Sequence, residues 1–183
     1  MAYNNKVINN PKTGQRIKFL QTAKDTNGQL LEMVSTLSPF SKEPIEHYHP
    51  LQDEDFTVLI GELTVKIDGQ QKVLKAGDTL HIDKNVVHAM WNNSGEAAVV
   101  NWKVQPALDT ENFLETSTGL ATDCKTNERG MPNILQIAIM AKKFSHVFRL
   151  SKPSFPVQSI VFAILKPFAT LAGYKAIYKE YLD

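Results

Sequence analysis

Three histidines and a glutamate stand where their side chains could share one cation. His47 and His49 flank Tyr48, and a spacing of two puts both imidazoles on one face of a β-strand. Glu54 comes five residues later, ahead of the strand-like run Phe56-Thr57-Val58-Leu59-Ile60-Gly61, and His88 closes the segment Asn85-Val86-Val87-His88. Three neutral imidazole nitrogens and one carboxylate suit a divalent transition metal. An octahedral ion with four protein ligands keeps two positions for water, dioxygen or substrate, as a working site does and a closed structural site does not. Fe, Mn, Ni, Cu, Co and Zn all accept such donors, so the identity of the one expected metal ion stays open. Without a cation, a carboxylate among these groups is costly to bury or must hold a proton.

The segments around these residues read as strands. Leu63, Val65 and Ile67 alternate with Thr64 and Lys66, the period-2 pattern of a strand with one buried face. Asp68-Gly69 is a two-residue hairpin signal, after which Val73-Leu74 resumes the apolar pattern. Leu80 and Ile82 alternate around His81, and Val100, Trp102 and Val104 around Asn101 and Lys103. Short strands at regular spacing, broken by Gly, Asp and Asn turns, predict a mainly β fold, an antiparallel sandwich or barrel of the jelly-roll class.

Two motifs resemble those of the cupin superfamily. His47-x-His49, four residues, Glu54, six residues and Gly61 is similar to the family's first motif. Gly77-Asp78, then Asp83-Lys84-Asn85-x-x-His88-x-x-x-Asn92, is similar to its second, and the likeness covers roughly residues 30 to 105. Where the family usually carries Pro-x-Gly, this chain reads Asp83-Lys84-Asn85. Asn tolerates positive φ better than most residues, so the turn is expected to survive. The resemblance implies a cupin β-barrel over residues 1–106 with metal ligands His47, His49, Glu54 and His88.

Alternate residues of a barrel strand point inward. Glu54, Phe56, Val58 and Ile60 share one parity, as do His88 and Met90. Phe56, Met90 and Trp102 are the expected wall of a substrate pocket above the metal. A divalent ion with one bound carboxylate is formally +1, which favours an anionic or chelating oxygen on a small molecule. The expected function is a metal-dependent enzyme acting on such a molecule, an oxidoreductase of the dioxygenase type by resemblance. The alternative is a non-catalytic metal- or ligand-binding module. No second catalytic group stands out: Asp53 and Asp55 flank Glu54 and are expected to face outward, and His81 and His146 lack a partner at ligand spacing.

Residues 107–183 change character. A helix is expected from Asp109 or Thr110 through Leu120 towards Thr122, a second with Pro132 in its first turn, and a third carrying Ile160, Val161, Ile164, Leu165, Phe168 and Leu171 that Pro167 should kink or split. This helical extension is expected to pack on the barrel, where it would serve as a lid, or on the partner in a homodimer. Residues 142–183 hold seven Lys or Arg against two acidic residues, so weak contact with a membrane surface is a further expectation. The 17 residues from Val157 to Gly173 include Lys166 and Pro167 and fall short of a spanning segment.

Composition sets the remaining bounds. With 183 residues, 43% hydrophobic and 21% charged, the chain has the make-up of a soluble globular protein. A formal net charge of +1 argues against a dedicated nucleic-acid binder. Cys124 is the single cysteine, which excludes an intrachain disulfide. The first residues lack the apolar stretch of a secretory signal, making the cytoplasm the default location.

Overall fold

The computed structural model describes residues 2–182. The strands are β1 (Val7–Asn10), β2 (Gln15–Gln21), β3 (Leu31–Leu37), β4 (His47–Tyr48), β5 (Asp53–Ile60), β6 (Glu62–Ile67), β7 (Gln70–Lys75), β8 (Thr79–Ile82), β9 (His88–Trp91), β10 (Ala98–Gln105) and β11 (Arg149–Leu150). The helices are α1 (Thr110–Thr122), α2 (Ile134–Lys143) and α3 (Phe155–Leu171). All pairings are antiparallel, in one sheet of order β1-β2-β3-β10-β5-β8 and a second of order β11-β4-β9-β6-β7. The fold is mainly β with helices at the C-terminal end.

The alternating patterns decide which side of each strand is buried. Phe56 and Val58 of β5, Leu63 and Val65 of β6, Leu80 and Ile82 of β8 and Val100 of β10 form one apolar core. Burying each such side chain contributes about 1.5–3 kcal/mol. Ile60, expected to point inward, is 60% exposed. The register of β5 against β10 shifts at Val99/Val100, so the end of β5 leaves the barrel's inward alternation.

The turns follow their residue chemistry. Asp68 and Gly69 both take positive φ, as a tight hairpin between β6 and β7 requires. Asn85 has φ +68°, so the expected left-handed turn is present, and its N–H donates to the His49 carbonyl at 2.8 Å. Asn92 is fully buried, donating to the Glu96 carbonyl at 2.6 Å and accepting from the Ser94 N–H at 2.9 Å. It serves the local fold.

The helical region departs from expectation in several places. Asp109 stands at the N-cap position of α1 without capping it, because its carboxylate is drawn to Lys143 at 2.7 Å. Pro132 precedes α2 rather than entering its first turn; Asn133 is the cap, accepting from the N–H groups of Leu135 and Gln136. Pro156 falls in the first turn of α3, where its missing N–H costs nothing. α3 runs on through Pro167, since both Pro167 and Ala163, whose carbonyl loses its partner, lie on the exposed side. Strand β11 was not expected at all. It pairs Arg149 with Tyr48 and Leu150 with His47, adding part of the C-terminal segment to the edge of the second sheet. Among the described residues, no helix is long and apolar enough to cross a membrane.

Gly61 occupies φ +77°, and a Cβ there would meet the Ala97 carbonyl oxygen at 2.5 Å. Gly61→Ala should therefore destabilise the protein by about 1–3 kcal/mol. Urea denaturation measures this, and an unchanged midpoint would contradict the close approach.

Candidate metal centre

Register brings the histidines together before any ligand is invoked. His47 of β4 is the direct cross-strand partner of His88 on β9, so both imidazoles leave the sheet on the same side. His49 follows β4 with the same parity. Glu54 faces them from β5 in the opposite sheet. One nitrogen from each of His47, His49 and His88 falls within 4.8 Å of the others. Glu54 Oε2 lies 3.0 Å from His88 Nε2 and 3.3 Å from His49 Nε2. Glu54, His88 and His49 are 1%, 2% and 6% exposed, while His47 keeps part of its surface towards the cavity.

Backbone carbonyls set the tautomers. Nδ1 of His47 meets the Ile45 carbonyl at 3.1 Å, Nδ1 of His49 the Val147 carbonyl at 2.6 Å, and Nδ1 of His88 the Val86 carbonyl at 3.0 Å. A carbonyl oxygen only accepts, so each Nδ1 carries the hydrogen and each neutral ring presents a bare Nε2. Trp102 Nε1 donates to Glu54 Oε1 at 2.9 Å, leaving Oε2 to face the imidazoles. His49 Nε2 and Glu54 Oε2 are buried without a hydrogen-bond partner. Lone pairs thus converge with no donor among them, and only a proton or a metal cation resolves that. The donor set fits a divalent metal.

The charges respond accordingly. Burial alone would raise the Glu54 carboxyl, but His49 and His88, with His47 behind them, outweigh it and hold the group at about 2. Burial, then repulsion from His88 and His49, pushes His47 well below the ordinary histidine value. Burial opposes charge on His88, yet the neighbouring Glu54 carboxylate raises it. Glu54 and His88 thus favour opposite charges across the place that a cation would take.

A cavity of about 320 Å³ opens on this cluster. Phe56, Met90 and Trp102, the expected pocket residues, all line it, and the Phe56 and Trp102 rings stack at 5.9 Å. Helices close the far side with Phe113 of α1, Phe144 beyond α2 and Phe162 of α3. Sequence reasoning missed Phe148, whose ring stacks on His47 at 4.5 Å and on Phe113 at 4.8 Å. It also missed the Val147 carbonyl and the Trp102 hydrogen bond. The outlying groups stay out of the cluster: Asp53 accepts from the Lys84 N–H, Asp55 meets exposed His81 at 2.7 Å, His146 lies 3.4 Å from Asp109, and Cys124 is exposed.

Because the Glu54 carboxyl is held below its unfolded value, it adds stability that is present above pH 4.5 and is lost as pH falls towards about 2. The gap corresponds to on the order of 3 kcal/mol. His88, raised, acts in the opposite sense, its share being present below the unfolded 6.5 and fading as pH rises through the folded value. Urea denaturation of metal-free protein should show wild type losing its advantage over Glu54→Gln as pH drops from about 4.5 to 2. A constant difference between the two across that window would contradict the ionised, imidazole-paired carboxylate.

Known proteins bear on this geometry. The cupin domain profile matches residues 33–104. Quercetin 2,3-dioxygenase of Bacillus subtilis (strain 168) is 36% identical over 78 residues, which are 42% of this chain and 23% of that protein. The uncharacterized protein YdbB of the same organism is 47% identical over 53 residues, 28% of this chain and 47% of that one. This chain thus spans less than half the length of either relative. The crystal structure of a predicted oxalate decarboxylase from Thermotoga maritima superposes with a TM-score of 0.50 at 20% identity, covering 56% of this chain and 92% of that chain, a likeness of fold alone. Residues 33–104, which carry both motifs and the histidine cluster, are similar to the cupin domain, and a C-terminal helical region follows them.

Proposed function

We propose that the chain binds one divalent transition metal through His47, His49, Glu54 and His88 and acts on a small oxygen-bearing molecule held in the adjoining cavity, as an oxygen-using enzyme of the dioxygenase type. The observation that carries this reading is the convergence of buried acceptor atoms, without a donor, at one end of that cavity. When bound, the metal supplies Lewis acidity and, if redox-active, electron transfer towards dioxygen. The chain's own residues orient and select. Three carbonyls aim the imidazoles and Trp102 fixes the carboxylate. Phe56, Met90 and Phe148 exclude water and favour an apolar or aromatic body on the substrate. A site charge of +1 favours an anionic oxygen such as an enolate. The partial likeness to the B. subtilis quercetin 2,3-dioxygenase supports the oxygen-using choice.

Protein purified from metal-supplemented growth should carry about one divalent ion per chain. His47→Ala should lose most of it while remaining folded, because the barrel core lies elsewhere. Affinity should weaken as pH falls and protons compete with the ion for the imidazole nitrogens. Oxygen uptake with Fe(II)- or Mn(II)-loaded protein and a panel of diketones and catechols then tests turnover. Uptake lost in His47→Ala is the expected result. Tight ligand binding without uptake would make the chain a non-catalytic binding module, and full metal content in His47→Ala would overturn the ligand assignment.

We also propose a homodimer across α3. Ile160, Ile164, Phe168 and Leu171 are 63%, 60%, 59% and 87% exposed, so this stripe does not pack on the chain's own barrel. With Val157 and Val161 it leaves open on the order of 600 Å² of apolar surface, against roughly 800 Å² per partner in a stable interface. α3 contains no acidic residue, and its one lysine, Lys166, lies roughly 170° around the helix from the stripe. A twofold contact therefore sets apolar on apolar without opposing like charges. Light scattering should give twice the 20.5 kDa chain mass, reduced to one by Ile164→Glu with Phe168→Glu. A monomeric wild type that sediments with anionic vesicles would assign the stripe to a membrane surface instead.

A further inference from the structure

Two of the four residues assigned to the metal are held by a segment outside the matched domain. β4 is two residues long and meets β9 through the single pair His47–His88. Its other edge is covered by β11, with Leu150 opposite His47 and Arg149 opposite Tyr48, and the Ser151 N–H extends the pairing to the Glu46 carbonyl at 3.0 Å. Immediately before β11, the Val147 carbonyl takes the His49 Nδ1 hydrogen at 2.6 Å, and the Phe148 ring lies on His47 with 24° between planes. Immediately after it, Gln158 of α3, 3% exposed, donates to the carbonyls of Leu150 at 2.8 Å and Pro153 at 2.6 Å.

Such contacts matter because a two-residue strand has little stiffness of its own. The orientation of both imidazoles depends on what is laid across it. A ligand histidine fixed at Nδ1 and braced on its ring face keeps Nε2 aimed, whereas a free one must be ordered when the ion binds. Gln158 makes its hydrogen bonds to the Leu150 and Pro153 carbonyls and to neither histidine. It holds the chain between β11 and α3, so its two hydrogen bonds reach the site only through the strap.

We propose that residues 147–158 are a positioning strap for the metal centre: the Val147 carbonyl and Phe148 ring aim His49 and His47, and Gln158 locks the strap against α3. This rests on the metal reading above. The affinity of the site for a divalent ion is then set partly by a segment that the cupin domain itself does not contain, and any ligand of α3 gains a route to the metal.

The test is titration of the full-length metal-free protein with Co(II), followed by competition with a chelating indicator and by the visible absorption of the bound ion. Wild type should bind one equivalent. Phe148→Leu and Gln158→Leu should weaken binding about 10- to 100-fold and shift the absorption bands, while Phe148→Tyr, which keeps the stacked ring, should restore both. A merely structural role would lower stability and leave the bands where they are. In wild type, Co(II) should slow amide hydrogen exchange across residues 147–158, a readout independent of whether the variants fold. Unchanged affinity and bands in folded variants would overturn the strap, as would exchange in 147–158 that is indifferent to Co(II) should the variants not fold. No Co(II) binding by wild type would instead overturn the metal reading beneath it.

Discussion

Lone pairs that converge without a donor are the constraint on which this structure turns. Each imidazole has given its Nδ1 hydrogen to a carbonyl, and Trp102 has taken one oxygen of Glu54. What remains at the centre accepts and does not donate. In a barrel interior that arrangement is costly unless a positive charge sits in it. Glu54 Oε2 and His88 Nε2, 3.0 Å apart, favour positive charge between them, and a divalent ion would supply it. The surrounding β-fold holds the acceptors close against their mutual repulsion.

The helices complete the site that the sheets begin. A barrel alone would leave the histidine strand with one covered edge and the cavity open at its mouth. Here β11 covers the second edge, Phe148 stacks between His47 and Phe113, and α1 and α3 close the cavity with aromatic side chains. The same helix that seals the cavity with Phe162 turns an apolar stripe outward. α3 therefore connects a surface suited to a partner with the wall of the site.

Much of this was legible from residue types and spacing, for physical reasons. Strands with one buried face must alternate, so Leu63 and Val65 or Leu80 and Ile82 announced their sides. Asn85 was readable as a left-handed turn residue because few others accept positive φ. His47 and His88 were visible as ligands by type, though their direct cross-strand pairing was not. Other features leave no trace in a linear pattern. A two-residue strand such as β11 has no period, and a backbone carbonyl such as that of Val147 has no residue signature. The Trp102–Glu54 bond depends on the register of β10 against β5, which no local window contains. Ile60 misled because parity holds only until a bulge interrupts it. Asp109 misled because Lys143, 34 residues away, competes for the carboxylate that would otherwise cap α1.

The most direct measurement is an anomalous difference map from a crystal soaked with Mn(II) or Co(II) near neutral pH. A single strong peak is expected within about 2.0–2.3 Å of Nε2 of His47, His49 and His88 and of Glu54 Oε2. A vacant centre at saturating metal, or an ion bound elsewhere with Glu54 still pressed against His88, would contradict the cation-centred site.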